Sequence, residues 1–183
     1  MTSREAVVLP GGRGGPHAPL LMYAADAAEA RGAVIKPVHW HNPEALRTVD
    51  RDQWGPWVTG QIAPHLPAGP ADVLLIGKSL GSHGAAVAAE RGYPAVWMTP
   101  LLTSGWVVDA LRRSTRQFLL VGGTADRLWD SALAHQLSPY VVEIEGADHG
   151  MYVPGRLAAS TAVLGEVATA VEDFLDEVVW PAS

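Results

Sequence analysis

The sequence predicts an α/β protein built on a doubly wound, mostly parallel sheet of about six strands flanked by helices. Three observations carry that expectation. Short apolar runs recur at Ala6-Val7-Val8-Leu9, Val34 to Trp40, Val73 to Ile76, Ala95 to Met98, Phe118 to Gly122 and Tyr140 to Ile144. Most lack the apolar/polar alternation of a sheet with one wet face, so they fit parallel strands covered on both sides. Segments of helical length separate them, and such alternation implies right-handed crossovers between the strands.

Taken in order, the first run leads into Pro10-Gly11-Gly12-Arg13-Gly14-Gly15, a loop, and then into a helix over Pro19 to Ala30. After the second run, Asn42-Pro43 and Gly55-Pro56 interrupt residues 41 to 55. That stretch reads as a surface connection entering a helix, Pro56 to Leu66, with Pro56 near its first turn. The third run turns at Gly77-Lys78-Ser79-Leu80-Gly81 into a helix expected over Leu80 to Arg91. Only Thr99 to Gly105 separate the fourth run from a helix over Trp106 to Arg113. The fifth run ends at Gly122-Gly123-Thr124-Ala125-Asp126 and precedes a helix over Asp130 to His135; the sixth runs into Glu145-Gly146-Ala147-Asp148-His149-Gly150. The chain closes on Val163, Leu164, Val167, Val171, Phe174, Leu175 and Val178, spaced i, i+3/i+4, with Glu166, Glu172, Asp173, Asp176 and Glu177 opposite. That is the pattern of an amphipathic helix lying on the sheet.

No repeat, low-complexity tract or linker divides residues 1–183, which read as one domain. A hydrophobic content of 48% provides for a sizeable core, and 17% charged residues is too few for a disordered chain. The net charge of -6 without any Lys/Arg cluster argues against nucleic acid as a partner. With no cysteine there is no disulfide framework, thiolate zinc site or cysteine nucleophile, so covalent catalysis would use another residue. Met1 to Glu5 lack a leader-like apolar region, and no window approaches the ~18 apolar residues of a membrane span. The expectation is a cytoplasmic protein acting on a small molecule, with no membrane or nucleic-acid partner.

The most specific signal is the strand-ending Gly77-x-Ser79-x-Gly81. A strand that turns abruptly into a helix needs little bulk two residues either side of the turn, and a serine at the apex projects its hydroxyl above the sheet edge. Such a serine is a poor nucleophile without an imidazole to take its proton and a carboxylate to fix the imidazole tautomer. Asp126 and His149 stand in loops at the carboxyl ends of later strands, the edge where open parallel sheets bind ligands. Asp130 and Asp148 are close enough in sequence to substitute as the orienting acid, and Asp148 is better placed to brace the histidine loop.

In the order Ser79, Asp126, His149, in Gly123-Thr124-Ala125-Asp126 and in Asp148-His149, the chain resembles the α/β-hydrolase superfamily over nearly its whole length. It is most similar to small lidless members such as dienelactone hydrolases and bacterial esterase-like proteins, although where dienelactone hydrolases carry Cys this chain has Ser79. The resemblance implies Ser79, Asp126 and His149 as a catalytic triad. It also implies oxyanion donors from the backbone N–H groups of Gly12 and Leu80, although Pro10 replaces the loop's usual His. The family's opening hairpin is missing and residues 99–105 leave no room for a cap, so a minimal, lidless version with small or exposed acyl substrates is implied. The implied activity is a carboxylesterase-like serine hydrolase cleaving a small ester or thioester, without cofactor or metal. A non-catalytic small-molecule-binding protein, an acyltransferase or a peptidase on the same scaffold are the alternatives. The joint presence of Ser79, Asp126 and His149 counts against the first.

Other signals are weaker. Gly77-Lys78-Ser79 resembles the end of a phosphate-binding loop, but the first glycine of that motif would fall on Asp72, and Gly11 to Gly15 do not complete Gly-x-Gly-x-x-Gly. Lys78 reads as a solvated or packing residue. His39 and His41, two apart on a strand, would share a side and line the mouth of the site with Trp40. Trp106, Trp129, Met151 and Tyr152 are candidates for an apolar acyl pocket. Trp54, Trp57 and Trp180 read as exposed, which leaves self-association open.

Overall fold

A computed structural model describes residues 3–69 and 71–182; Met1 and Thr2, part of the segment read above for a leader, lie outside the described residues. Six strands, β1 (Arg4–Leu9), β2 (Val34–Pro37), β3 (Asp72–Lys78), β4 (Ala95–Met98), β5 (Phe118–Gly123) and β6 (Tyr140–Ile144), form one sheet in the order β2-β1-β3-β4-β5-β6. Every pairing is parallel. The connecting helices are α1 (Pro19–Glu29), α2 (Trp54–Ile62), α3 (Ala85–Arg91), α4 (Gly105–Arg113), α5 (Ser131–Leu137) and α6 (Leu157–Phe174).

The inner strands are apolar on both faces because each face has its own core, whereas the edge strands β2 and β6 are mostly half-buried. Successive residues point to opposite sides of a sheet. Accordingly Ala6, Val8, Leu74, Ile76, Val96 and Met98 pack with α1 and α6. Val7, Leu9, Val73, Leu75, Ala95 and Trp97 pack with α2, α3, α4 and α5. The closing stripe serves the first core through Val163, Val167, Val171 and Phe174, and the helix continues as a π-helical turn over Leu175–Val179. From β1 the chain runs outward to β2, then returns to the other side of β1 at β3, so the loops after β1 and β3 diverge from adjacent strands. That divergence opens the crevice in which such sheets bind ligands.

Some local expectations shift. The second strand stops at Pro37, three residues before Trp40; after one more ladder bond, from Val38 N–H to the Val8 carbonyl, the chain leaves the sheet. His39 and His41 therefore do not share a strand face. The His39 ring lies 6.4 Å from that of His17, while the backbone of His41 is bonded to Gln61. The expected helix from Leu80 begins as a tight 3₁₀ turn over Ser79–Gly84 before α3. Residues 43–53 form two short 3₁₀ turns. Trp54 and Trp57, read as exposed, are half-buried, Trp57 against Trp40, and Trp180 is buried under the Arg4 guanidinium. No helix among the described residues is long and apolar enough to cross a membrane.

Candidate active site

Ser79 follows the last residue of β3 with φ 50°, in the left-handed region that side chains rarely occupy. The flanking glycines are steric requirements of that turn. A Cβ on Gly77 would lie 2.5 Å from the Trp97 ring, and one on Gly81 2.3 Å from the Leu9 carbonyl oxygen. The turn can therefore press against β1 and β4 only with hydrogen at those positions. Ser82 helps lock it, donating to the Ser79 carbonyl at 2.6 Å and accepting from Leu101 N–H at 3.1 Å.

The acid loop after β5 is closed by Asp126 N–H to the Gly123 carbonyl and Trp129 N–H to the Asp126 carbonyl. Gly123 lies against the histidine loop so closely that a Cβ would fall 2.2 Å from the Ala147 oxygen. Asp126 Oδ1 accepts from Leu128 N–H at 2.9 Å, which leaves Oδ2 for the Nδ1 of His149 at 2.7 Å. On the other side of that imidazole, Nε2 lies 2.8 Å from Ser79 Oγ. With the carboxylate accepting from Nδ1–H, Nε2 carries the lone pair and the hydroxyl donates to it. The Asp126 side chain is 2% exposed and the imidazole 36% exposed, so the chain of hydrogen bonds runs from a dry carboxylate to an accessible hydroxyl.

The other nearby acids are committed elsewhere. Asp130 caps α5, accepting from Leu133 N–H. Asp148 Oδ1 accepts from Gly150 and Tyr152 N–H, bracing the histidine loop around Met151, whose φ is 64°. Gly11 and Gly12 lie over the turn. A Cβ at Gly11 would meet Ser79 Cβ at 3.6 Å, and one at Gly12 would meet Leu80 Cδ2 at 3.7 Å. Leu80 is the second residue of its 3₁₀ turn, where the N–H has no acceptor within the turn.

Lys78, read from sequence as solvated or packing, instead joins the site. Its ammonium donates to Thr99 Oγ1 at 3.1 Å and to the His149 carbonyl at 3.0 Å, tying β3 and the end of β4 to the histidine loop. Burial pushes the Lys78 ammonium below the ordinary lysine value, against the pull of Asp126 and Asp148. No sequence motif marks this contact, because it joins residues 71 positions apart. His83, also unread from sequence, is buried beneath the turn. Its Nδ1–H donates to the Leu80 carbonyl, and burial holds its pKa below the usual value.

Ser79, Leu80, His149, Gly11 and Gly12 open on a cleft of about 810 Å³, within the range of small-molecule sites. Trp54 and Trp106 supply its apolar wall; Arg13, Arg47 and Arg51 supply cations at its rim. The buried Trp54 indole N–H has no protein acceptor. Of the four apolar candidates, Trp106 lines this cleft, whereas Met151 and Tyr152 line a separate cavity. Trp129 fills the space beneath Gly122, its indole N–H donating to Glu143. Residues 99–104 are all that stands between β4 and α4, so no cap is inserted there. The described residues contain no cluster of three or more metal-ligating side chains.

No protein-family profile and no curated protein sequence matches the chain. Solved structures do match. Est1E from Butyrivibrio proteoclasticus, with ferulic acid bound, superposes with a TM-score of 0.68 at 15% identity, over 98% of this chain and 91% of that one. Dienelactone hydrolase from Anabaena variabilis gives 0.65 at 18% identity, over 97% and 88%. An a/b serine hydrolase without lid from Xanthomonas campestris gives 0.57 at 15% identity, over 100% and 86%. The chain has the α/β-hydrolase fold.

Proposed function

We propose that this chain is a carboxylesterase-like serine hydrolase that cleaves a small ester or thioester through an acyl-enzyme at Ser79. The observation that carries the reading is the unbroken relay from Asp126 Oδ2 through His149 to Ser79 Oγ, at 2.7 and 2.8 Å. Both separations fall within reach for proton transfer. The fold's occurrence in a dienelactone hydrolase and in an a/b serine hydrolase without lid supports it.

In this mechanism His149 Nε2 takes the Ser79 proton as Oγ adds to the substrate carbonyl, and Asp126 stabilises the imidazolium without itself taking the proton. The N–H groups of Leu80 and Gly12 receive the oxyanion. Each such donor is worth about 3 kcal/mol of transition-state stabilisation. The imidazolium protonates the departing alcohol or thiol; a water deprotonated by the same nitrogen then adds to the acyl carbon, and the imidazolium returns that proton to Ser79 Oγ as the carboxylic acid leaves. Residues 1–183 act as one domain, and all five functional groups come from this chain. An uncapped cleft favours short or exposed acyl groups over long lipid chains.

Intact-mass analysis after incubation with a fluorophosphonate tests the reading. One adduct per wild-type chain is expected, none on Ser79→Ala, and much slower labelling of His149→Ala. A folded wild-type protein that takes no adduct would overturn it.

A further inference from the structure

On the α1 and α6 side of the sheet lies a second cavity of about 310 Å³, at the lower end of the range for small-molecule sites. Its walls are apolar: Leu20 from α1, Met151 and Tyr152 from the histidine loop, Leu157 and Leu164 from α6. The hydroxyls of Ser160 and Thr161 are already engaged. Ser160 Oγ accepts from Val153 N–H, and Thr161 donates to the Ala158 carbonyl. Tyr152 and Leu157 remain 58% and 67% exposed, apolar surface that an occupant would cover.

The charged exception is Lys78, which borders both this cavity and the cleft. Two of its three N–H groups go to neutral oxygens, those of Thr99 and His149. Among the described residues no carboxylate lies within ion-pair distance of it. A partly desolvated ammonium with only neutral partners gains most from an anion, through a charge-assisted hydrogen bond. Two helix ends add to that sign, against Asp126 and Asp148, which pull on the ammonium from the acid and histidine loops. The cavity is bordered by the first turns of α1 and α6, and neither helix has a side-chain cap or an acidic residue in that turn. Both positive helix ends are thus uncompensated.

We propose that this cavity is a second binding site, separate from the cleft, for a carboxylate with an apolar tail. The carboxylate meets the Lys78 ammonium, and the tail lies against Met151, Tyr152, Leu157 and Leu164. The inference does not depend on catalysis at Ser79.

Methyl NMR of the full chain titrated with sodium octanoate tests it, with octan-1-ol as the neutral counterpart. Saturable shifts are expected at Met151, Leu157 and Leu164, with Leu46, Leu101 and Leu128 of the cleft undisturbed. Lys78→Met is expected to weaken octanoate about tenfold or more beyond any effect on octan-1-ol. Leu164→Trp, which adds bulk on the α6 wall of the cavity, is expected to abolish binding of both. Shifts confined to the cleft leucines, no saturable shift at millimolar octanoate, or equal effects of Lys78→Met on the two probes would each overturn the proposal.

Discussion

The loop after β5 and the loop after β1 reach the same sheet edge, but they are held in opposite ways. Residues 124–129 are pinned: Thr124 N–H to Ile144, Ala125 N–H to Ala147, Gly146 N–H to Thr124 Oγ1, and Leu102 N–H to Leu128. Gly12 to Gly15 are exposed, and beyond the Trp40 indole on the Pro10 carbonyl and Ala18 N–H on Gly15 the loop is tied by little. The difference matches the two tasks proposed for them. A carboxylate that fixes one imidazole tautomer must not move, and removing water around it strengthens its hydrogen bonds. A backbone N–H that receives a developing oxyanion needs only to lie close, which glycine permits.

The largest test of the comparison is Asp126→Asn. The amide preserves shape and offers the wrong hydrogen-bond pattern to His149, so kcat is expected to fall about 10³- to 10⁴-fold with the melting temperature little changed. An unaltered kcat would place the orienting charge elsewhere. On the open side, Gly12→Pro removes one backbone donor, and a loss of about 10²-fold or more in kcat with little change in KM is expected from steady-state kinetics. If kcat held, the second oxyanion donor would not be Gly12.

Stability gives a smaller contrast. Gly123→Ala drives a methyl toward the Ala147 oxygen, and overpacking of this kind costs about 1–3 kcal/mol, or several degrees in a chain of this size. Gly15→Ala meets nothing within 4 Å and has no left-handed φ, so thermal unfolding should place it within about 0.5 kcal/mol of wild type. Equal melting temperatures for the two variants would remove the distinction between a pinned and a free loop.

What the sequence reveals follows the same division. The central strands are legible because burial on both faces leaves them continuously apolar, and Ser79 and Asp126 are legible because each follows such a strand; His149 follows the half-buried edge strand β6 and is legible from Asp148-His149 instead. The second strand is overrun to Trp40 because Val38 is as apolar as a strand residue, although the chain has already left the ladder. The turn at Ser79–Gly84 reads as ordinary helix because a sequence does not show that Gly81 and Gly84 lie against Leu9. Residues 41–53 have no period to read, since their turns are set by Asn42 at φ 53° and by tertiary contacts. Lys78 is missed for a related reason: its partners come from two other strand ends, and only the assembled sheet edge brings them together.

His83 supplies the smallest effect and tests whether the turn between the two loops is as rigid as the acid side. Its imidazole is buried against the Leu80 carbonyl, and burial lowers its pKa from 6.5. The unfolded chain therefore binds a proton that the folded chain refuses in the window below 6.5. Linkage then requires stability to be full above that window and to decline as pH falls through it. His83→Gln keeps a polar side chain without the titration. Melting temperatures taken between about pH 7.5 and about pH 5 should fall less steeply for the variant, so that its deficit against wild type shrinks on acidification. Parallel curves would mean that the turn opens enough to solvate an imidazolium, and the rigidity seen at Gly77, Gly81 and Ser82 would then not extend to the residue beneath Leu80.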